Sequence, residues 1–190
     1  MMKRLAVFAS GNGSNAQAIA EYFSGSDEAQ IVLILSNRED AFVLQRAKTL
    51  NIPVRVFNRT DFYKTDEITQ LLISQNIDLV VLAGFLWLLP PSLIKAFPDR
   101  IINIHPALLP NYGGKGMYGS KVHEAVIAAG EKESGISIHY VNEDYDQGQI
   151  IFQARCNIET NDTPESLAAK IHVLEYTHFA TIIDQVLKTL

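Results

Sequence analysis

Five strand-length apolar runs recur along the chain, at 5–9, 31–35, 54–57, 79–83 and 101–104. They are near-continuous rather than alternating, the pattern of strands covered on both faces and therefore of a parallel sheet. Helical periodicity fills the gaps over 15–22, 41–50, 61–75, 91–97 and 121–129. A last helix begins after Thr163, which can cap it. Pro164 suits its first turn, and Leu167, Ile171, Leu174, Ile182 and Val186 form its apolar stripe. Two later strands, 136–141 and 150–152, behave differently. The first alternates and only a short loop separates the pair, so an antiparallel or mixed edge is expected there. The β-α-β order with right-handed crossovers predicts an α/β, Rossmann-like three-layer fold. Its sheet should be mostly parallel, of about seven strands, with a mixed C-terminal edge. No repeat or linker interrupts the pattern, so 1–190 reads as one domain.

Bulk properties remove several function classes. A net charge of -5 argues against a nucleic-acid binder, which needs a basic face, although an acidic protein can still hold one phosphate locally. A single cysteine, Cys156, rules out an internal disulfide and a four-cysteine zinc site and suits a reducing compartment. No apolar run approaches the roughly 20 residues of a membrane span. The first run is far too short for a signal-peptide core. The expectation is a cytoplasmic protein with no membrane partner.

Glycines mark the turn after the first strand, Ser10-Gly-Asn-Gly-Ser-Asn-Ala16. Backbone N–H groups at a helix start point outward, and glycine lets an anion approach them closely. Ser14 and Asn15 add side-chain donors, so a phosphate monoester fits. The spacing Gly11-x-Gly13-x-x-Ala16 also suits a dinucleotide, which makes a nicotinamide-dependent oxidoreductase a rival reading. That rival expects an acid at the end of the second strand, where this chain has Ser36-Asn37-Arg38. A tight glycine turn with no ligand is the third reading. A second glycine-rich stretch, 110–120, is long enough to be a functional loop or a solvated excursion.

The run Ile101-Ile-Asn-Ile-His-Pro106 places two polar residues at the carboxyl end of a buried strand, where open α/β sheets bind ligands. Period-two geometry sends Asn103 and His105 to the same side. An amide N–H of Asn103 can donate to an oxyanion, and His105 can donate to the same oxygen or move a proton. Asp146, in the loop Glu143-Asp-Tyr-Asp-Gln-Gly148, can pair with His105 and stabilise its protonated form. Ser137 and His139 share a face of the preceding strand and can support the same site. The alternative for each is structural: Asn103 satisfying a strand end, His105 and His139 as hydrogen-bonded core histidines. Asp144 and Asp146 lack the further oxygen ligands of a calcium loop, so no metal is expected.

Taken in order and spacing, Ser10–Asn15, Ala83-Gly-Phe85, Asn103-Ile-His-Pro-Ala-Leu-Leu-Pro110 and Asp146-Gln-Gly148 resemble the phosphoribosylglycinamide formyltransferases of purine biosynthesis. These are folate-dependent formyltransferases, and the resemblance runs over nearly the whole chain. It implies one formyltransferase domain with a phosphate-binding N-terminal half and a folate-binding C-terminal half. It also implies direct transfer of the formyl group of 10-formyltetrahydrofolate to the amine of glycinamide ribonucleotide through a tetrahedral intermediate, with no metal. Asn103, His105 and Asp146 would be catalytic. Gly13, Ser14 and Asn15 would hold the 5′-phosphate, and Gly84, Pro106 and Glu175 the glycinamide and ribose. The folate would sit in an apolar slot, its pteridine meeting the backbone of Leu86, Trp87, Leu88 and Leu89 on one side and of Val141, Asn142, Glu143 and Asp144 on the other. Trp87 stands where some relatives carry Arg. Two alternatives stay open: another acceptor amine such as a nucleotide-linked amino sugar, and a folate-binding domain without turnover. The partners expected are small molecules, with the chain a monomer or homodimer.

Overall fold

Along β1 (Lys3–Phe8) the side chains divide between two cores. Leu5 and Val7 turn into one apolar cluster and Ala6 and Phe8 into the other, as period-two geometry requires. The computed structural model describes residues 2–190. The same division continues through β2 (Ala29–Ser36), β4 (Leu79–Leu82) and β5 (Ile101–His105), while the short edge strand β3 (Val54–Val56) lies outside both clusters. One cluster takes in α1 (Ser14–Tyr22), α2 (Val43–Thr49), α6 (Ser120–Ala128) and α7 (Pro164–Leu187) through residues such as Ile19, Val43, Val126 and Phe179. The other takes in α3 (Arg59–Tyr63), α4 (Glu67–Ser74) and α5 (Pro91–Ala96) through Phe62, Leu72 and Leu93. Three layers result, with the sheet in the middle.

The sheet has seven strands in the order β3-β2-β1-β4-β5-β6-β7. Strands β1 to β5 pair in parallel. β6 (Glu133–Tyr140) and β7 (Ile150–Asn157) add antiparallel. This is the expected mostly parallel sheet with a mixed C-terminal edge. The strand order reverses between β1 and β4, so the loops leaving those strands part company and open a crevice.

Two elements depart most from expectation. The single helix expected over 61–75 is two, because Asp66 adopts a left-handed φ of 53° between α3 and α4. α3 has its own start, where Asn58 and Asp61 form a reciprocal capping box. β7 runs to Asn157 rather than ending at Phe152. Its later residues alternate Gln153, Arg155 and Asn157 with Ala154 and Cys156, an edge-strand pattern that an apolar-run criterion misses.

Candidate active site

The turn after β1 is shaped by packing as much as by any ligand. Gly13 sits at φ 75°, and a Cβ there would lie 2.3 Å from Cγ2 of Val43 on α2. Only glycine lets α2 press this closely on the start of α1. Ser10 knits three loops together: its Oγ donates to Asn37 Oδ1 at 2.7 Å and accepts from the Leu86 N–H at 3.0 Å, and its N–H donates to the Gly84 carbonyl at 3.0 Å. Asn37 is thereby engaged at the point where a dinucleotide site would present a free acid. Asn15 donates its amide to Glu175 Oε2 at 2.9 Å, while its buried Oδ1 has no partner. Burial pushes the Glu175 carboxyl up, against the opposing pull of Asn15 and His172.

At the far end of the crevice, β5 and β6 place their polar residues in cross-strand register: Asn103 faces His139, and His105 faces Ser137. Opposite residues on one face of an antiparallel pair are in contact range. His139 Nδ1–H donates to the Tyr140 carbonyl at 2.8 Å, since a carbonyl can only accept, which leaves Nε2 to accept from Asn103 Nδ2 at 3.1 Å. The other hydrogen of that amide lies toward Asp146 Oδ1, 3.4 Å away. Ser137 works elsewhere. Its Oγ donates to the Ala107 carbonyl at 2.7 Å and accepts from the Leu109 N–H at 2.9 Å, pinning the chain that leaves β5.

His105 is 4% exposed, and its Nε2–H donates to the Tyr112 carbonyl at 2.8 Å. Its Nδ1 then faces Asp146 Oδ2 at 3.5 Å. Burial holds His105 below the ordinary histidine value, and the opposing Asp146 charge and Tyr112 carbonyl do not reverse it. Burial therefore opposes the stabilisation of the protonated ring expected from Asp146. Asp146 is affected by several opposing influences. Burial raises its value, but the nearby His139 and His105 and the Gly114 N–H, which donates to Oδ2 at 2.9 Å, together hold it below the usual range. The carboxylate is ionised. Gly148 fixes the loop that carries it, because a Cβ there would lie 1.6 Å from the Tyr140 carbonyl oxygen.

A cavity of about 580 Å³ joins the two ends, a usual size for a small-molecule site. Its wall includes Gly13, Ser14, Asn15, Gly84, Asn103, His105, Pro106, Asp146 and Glu175. Of the residues expected to hold a folate, Leu86 reaches this wall. Trp87 borders a separate hollow with Phe57 and Arg59, whose guanidinium lies 4.9 Å above the indole. Leu89 is buried in the second core. The Leu88 carbonyl accepts from Tyr63, the Val141 N–H donates to Ile101, and the Asn142 side chain accepts from the Asp144 N–H. Glu143 is exposed. The structure thus gathers Asn103, His105, Asp146, the glycine turn and Glu175 around one space, and leaves most of the expected folate residues beside it.

Several wall residues escaped the sequence reading, notably His123, His172 and Tyr145. His123 sits between buried Val122 and Val126 on α6. A histidine on the inward face of an apolar helix was the available signal. His172 precedes Glu175 by one helical turn and so shares its face. No group of three metal-ligating side chains occurs among the described residues. Among them, too, no helix is long and apolar enough to cross a membrane.

Comparison with known proteins gives a consistent result. Residues 3–183 match the formyl transferase family model. The chain is 43% identical over 190 residues to the chloroplastic phosphoribosylglycinamide formyltransferase of Arabidopsis thaliana, covering 97% of this chain and 65% of that protein. It is 36% identical to the Bacillus subtilis phosphoribosylglycinamide formyltransferase, covering 98% and 95%. The crystal structure of glycinamide ribonucleotide transformylase 1 from Geobacillus kaustophilus superposes with a TM-score of 0.90 at 36% identity, covering 98% of this chain and all of that one. The chain therefore spans a little under two thirds of the Arabidopsis relative and nearly the full length of the bacterial ones.

Proposed function

Since the chain belongs to the formyl transferase family, we propose that it transfers the formyl group of 10-formyltetrahydrofolate to the amine of glycinamide ribonucleotide, a step of purine biosynthesis. The observation that carries this reading is the meeting of Asn103, His105 and Asp146 at one end of a cavity whose other end is the Gly11–Asn15 turn. A phosphate bound at the turn and an amine at the trio are the two ends of one nucleotide.

The neutral amine attacks the formyl carbon. A new C–N bond forms, and the carbonyl π pair moves onto oxygen. Asn103 turns an amide hydrogen from Asp146 to the developing oxyanion, while His139 keeps the amide nitrogen facing inward. One amine proton passes to Nδ1 of neutral His105, and the imidazolium so formed lies against ionised Asp146, which stabilises it. Collapse breaks the bond from the formyl carbon to N10, and N10 leaves with the electron pair and takes the proton from His105. The products are the formylated amine and tetrahydrofolate, and His105 is neutral again. Such donors are worth more in a dry site than in water. Buried His105 and mostly buried Asp146 supply that condition.

The test is a formyl-transfer assay with glycinamide ribonucleotide and 10-formyltetrahydrofolate, following tetrahydrofolate release. Turnover with this acceptor, and little with a nucleotide-linked amino sugar, is expected. A folded protein that binds both substrates and releases no tetrahydrofolate would overturn the assignment.

A further inference from the structure

The wall of the cavity between its two ends carries an unassigned polar group. His123 is 5% exposed, and its Nδ1 has no hydrogen-bond partner. Buried polar atoms are nearly always paired, so an unpaired one on a cavity wall calls for an explanation. Its place on that wall is set by its neighbours. The charges of His172 on α7 and of His105 both bear on it, after burial, in holding it below the ordinary histidine value. His172 is one turn before Glu175, and Glu175 accepts from Asn15 of the phosphate turn. Glu175, His172, His123 and His105 thus line one cavity with the phosphate turn.

A ribosyl glycinamide phosphate spanning the cavity has its sugar between the turn and the Asn103–His105–Asp146 end, within reach of these wall residues. An ionised Glu175 can only accept, so it takes hydrogens from hydroxyl groups. A neutral imidazole offers one donor and one acceptor, the complement of a hydroxyl that already gives its hydrogen to a carboxylate. Asn15 Oδ1, also buried and unpaired, adds an acceptor nearby. We propose that His123 is a binding residue for the ribose hydroxyls of the nucleotide, acting across the sugar from Glu175. The inference rests on the formyl-transfer reading and assigns a residue that the sequence reading passed over.

Two variants test it. His123→Ala should raise KM for glycinamide ribonucleotide about 3- to 10-fold, the scale of one neutral hydrogen bond, and leave folate affinity nearly unchanged. With the 2′,3′-dideoxyribosyl analogue as acceptor, the same substitution should change KM by less than twofold, since the partner is gone. His123→Leu removes a buried nitrogen that is unsatisfied without ligand, so its Tm should equal or exceed that of the wild type while its KM for the nucleotide rises. A purely structural histidine would instead lower Tm in both variants and penalise both acceptors alike, and that result would overturn the inference. Wild-type turnover with unchanged KM in the variants would sink this inference alone. No wild-type turnover would remove the formyl-transfer reading with it.

Discussion

Asn103, His105 and Asp146 each have a neighbour that fixes which atom faces the cavity. For Asn103 the neighbour is His139, which accepts at Nε2 because its Nδ1 hydrogen is taken by Tyr140. Asn103→Ala removes the proposed oxyanion donor and should cost about 10²–10³ in kcat with the fold intact by circular dichroism. Near-normal turnover would show that the amide stabilises nothing in the transition state. Asp146→Asn keeps shape and loses charge. It should lower kcat far more than it raises KM, whereas a KM-only effect would make Asp146 a binding residue. At this scale the sequence was informative where period-two geometry aligns two residues, as for Asn103 and His105. It was weaker where proximity depends on three elements meeting: for His123 the helical pattern marks an inward face but not which site that face meets. The charge state of His105 also lay beyond sequence, because it turns on the balance between burial and a carboxylate 43 and 41 positions away from Asn103 and His105.

Elements meet in this protein through backbone contacts that leave no space for a side chain. Gly13→Ala would drive a methyl group into Val43 at a positive φ, so α1 and α2 must separate. A loss of roughly 1–3 kcal/mol in urea unfolding is expected, with weakened nucleotide binding. If stability and binding both stay unchanged, the turn is more pliable than its packing implies. Thr163 caps the longest helix by accepting from the Ser166 N–H, and Thr163→Ala should cost about 1 kcal/mol with kinetics preserved. Element type was largely legible from apolar periodicity, since strands covered on both faces and a capped amphipathic helix have distinct patterns. The break between α3 and α4 was not. It hinges on the backbone conformation of Asp66, which composition does not announce.

Protons couple the folded state to pH across the whole molecule. His105 and His123 are both held below their ordinary value of 6.5, mainly by burial. Below that value the unfolded chain binds more protons than the folded one, so stability falls as pH drops through this window and is fully present above it. Asp146, held below 3.8, adds a loss of the same sign in more acidic solution. Glu175 acts oppositely: its raised value favours the folded state when protonated, a contribution lost as pH climbs above 4.5. Tm should be highest near neutral pH and decline below about 6.5. In His123→Leu the decline just below 6.5 should be shallower than in the wild type. A steeper slope in the variant would mean that burial does not depress this histidine.

The segment after β5 has a double duty. Its Tyr112 carbonyl holds the proton of His105 at Nε2, and its Gly114 N–H steadies Asp146 at Oδ2. Whatever shifts that stretch also frees the imidazole to change tautomer and loosens its counter-ion. The shape of that cavity wall and the proposed readiness of the base are thus one mechanical state, and a protein nicked there should still collect both ligands yet fail to pass the hydrogen between them.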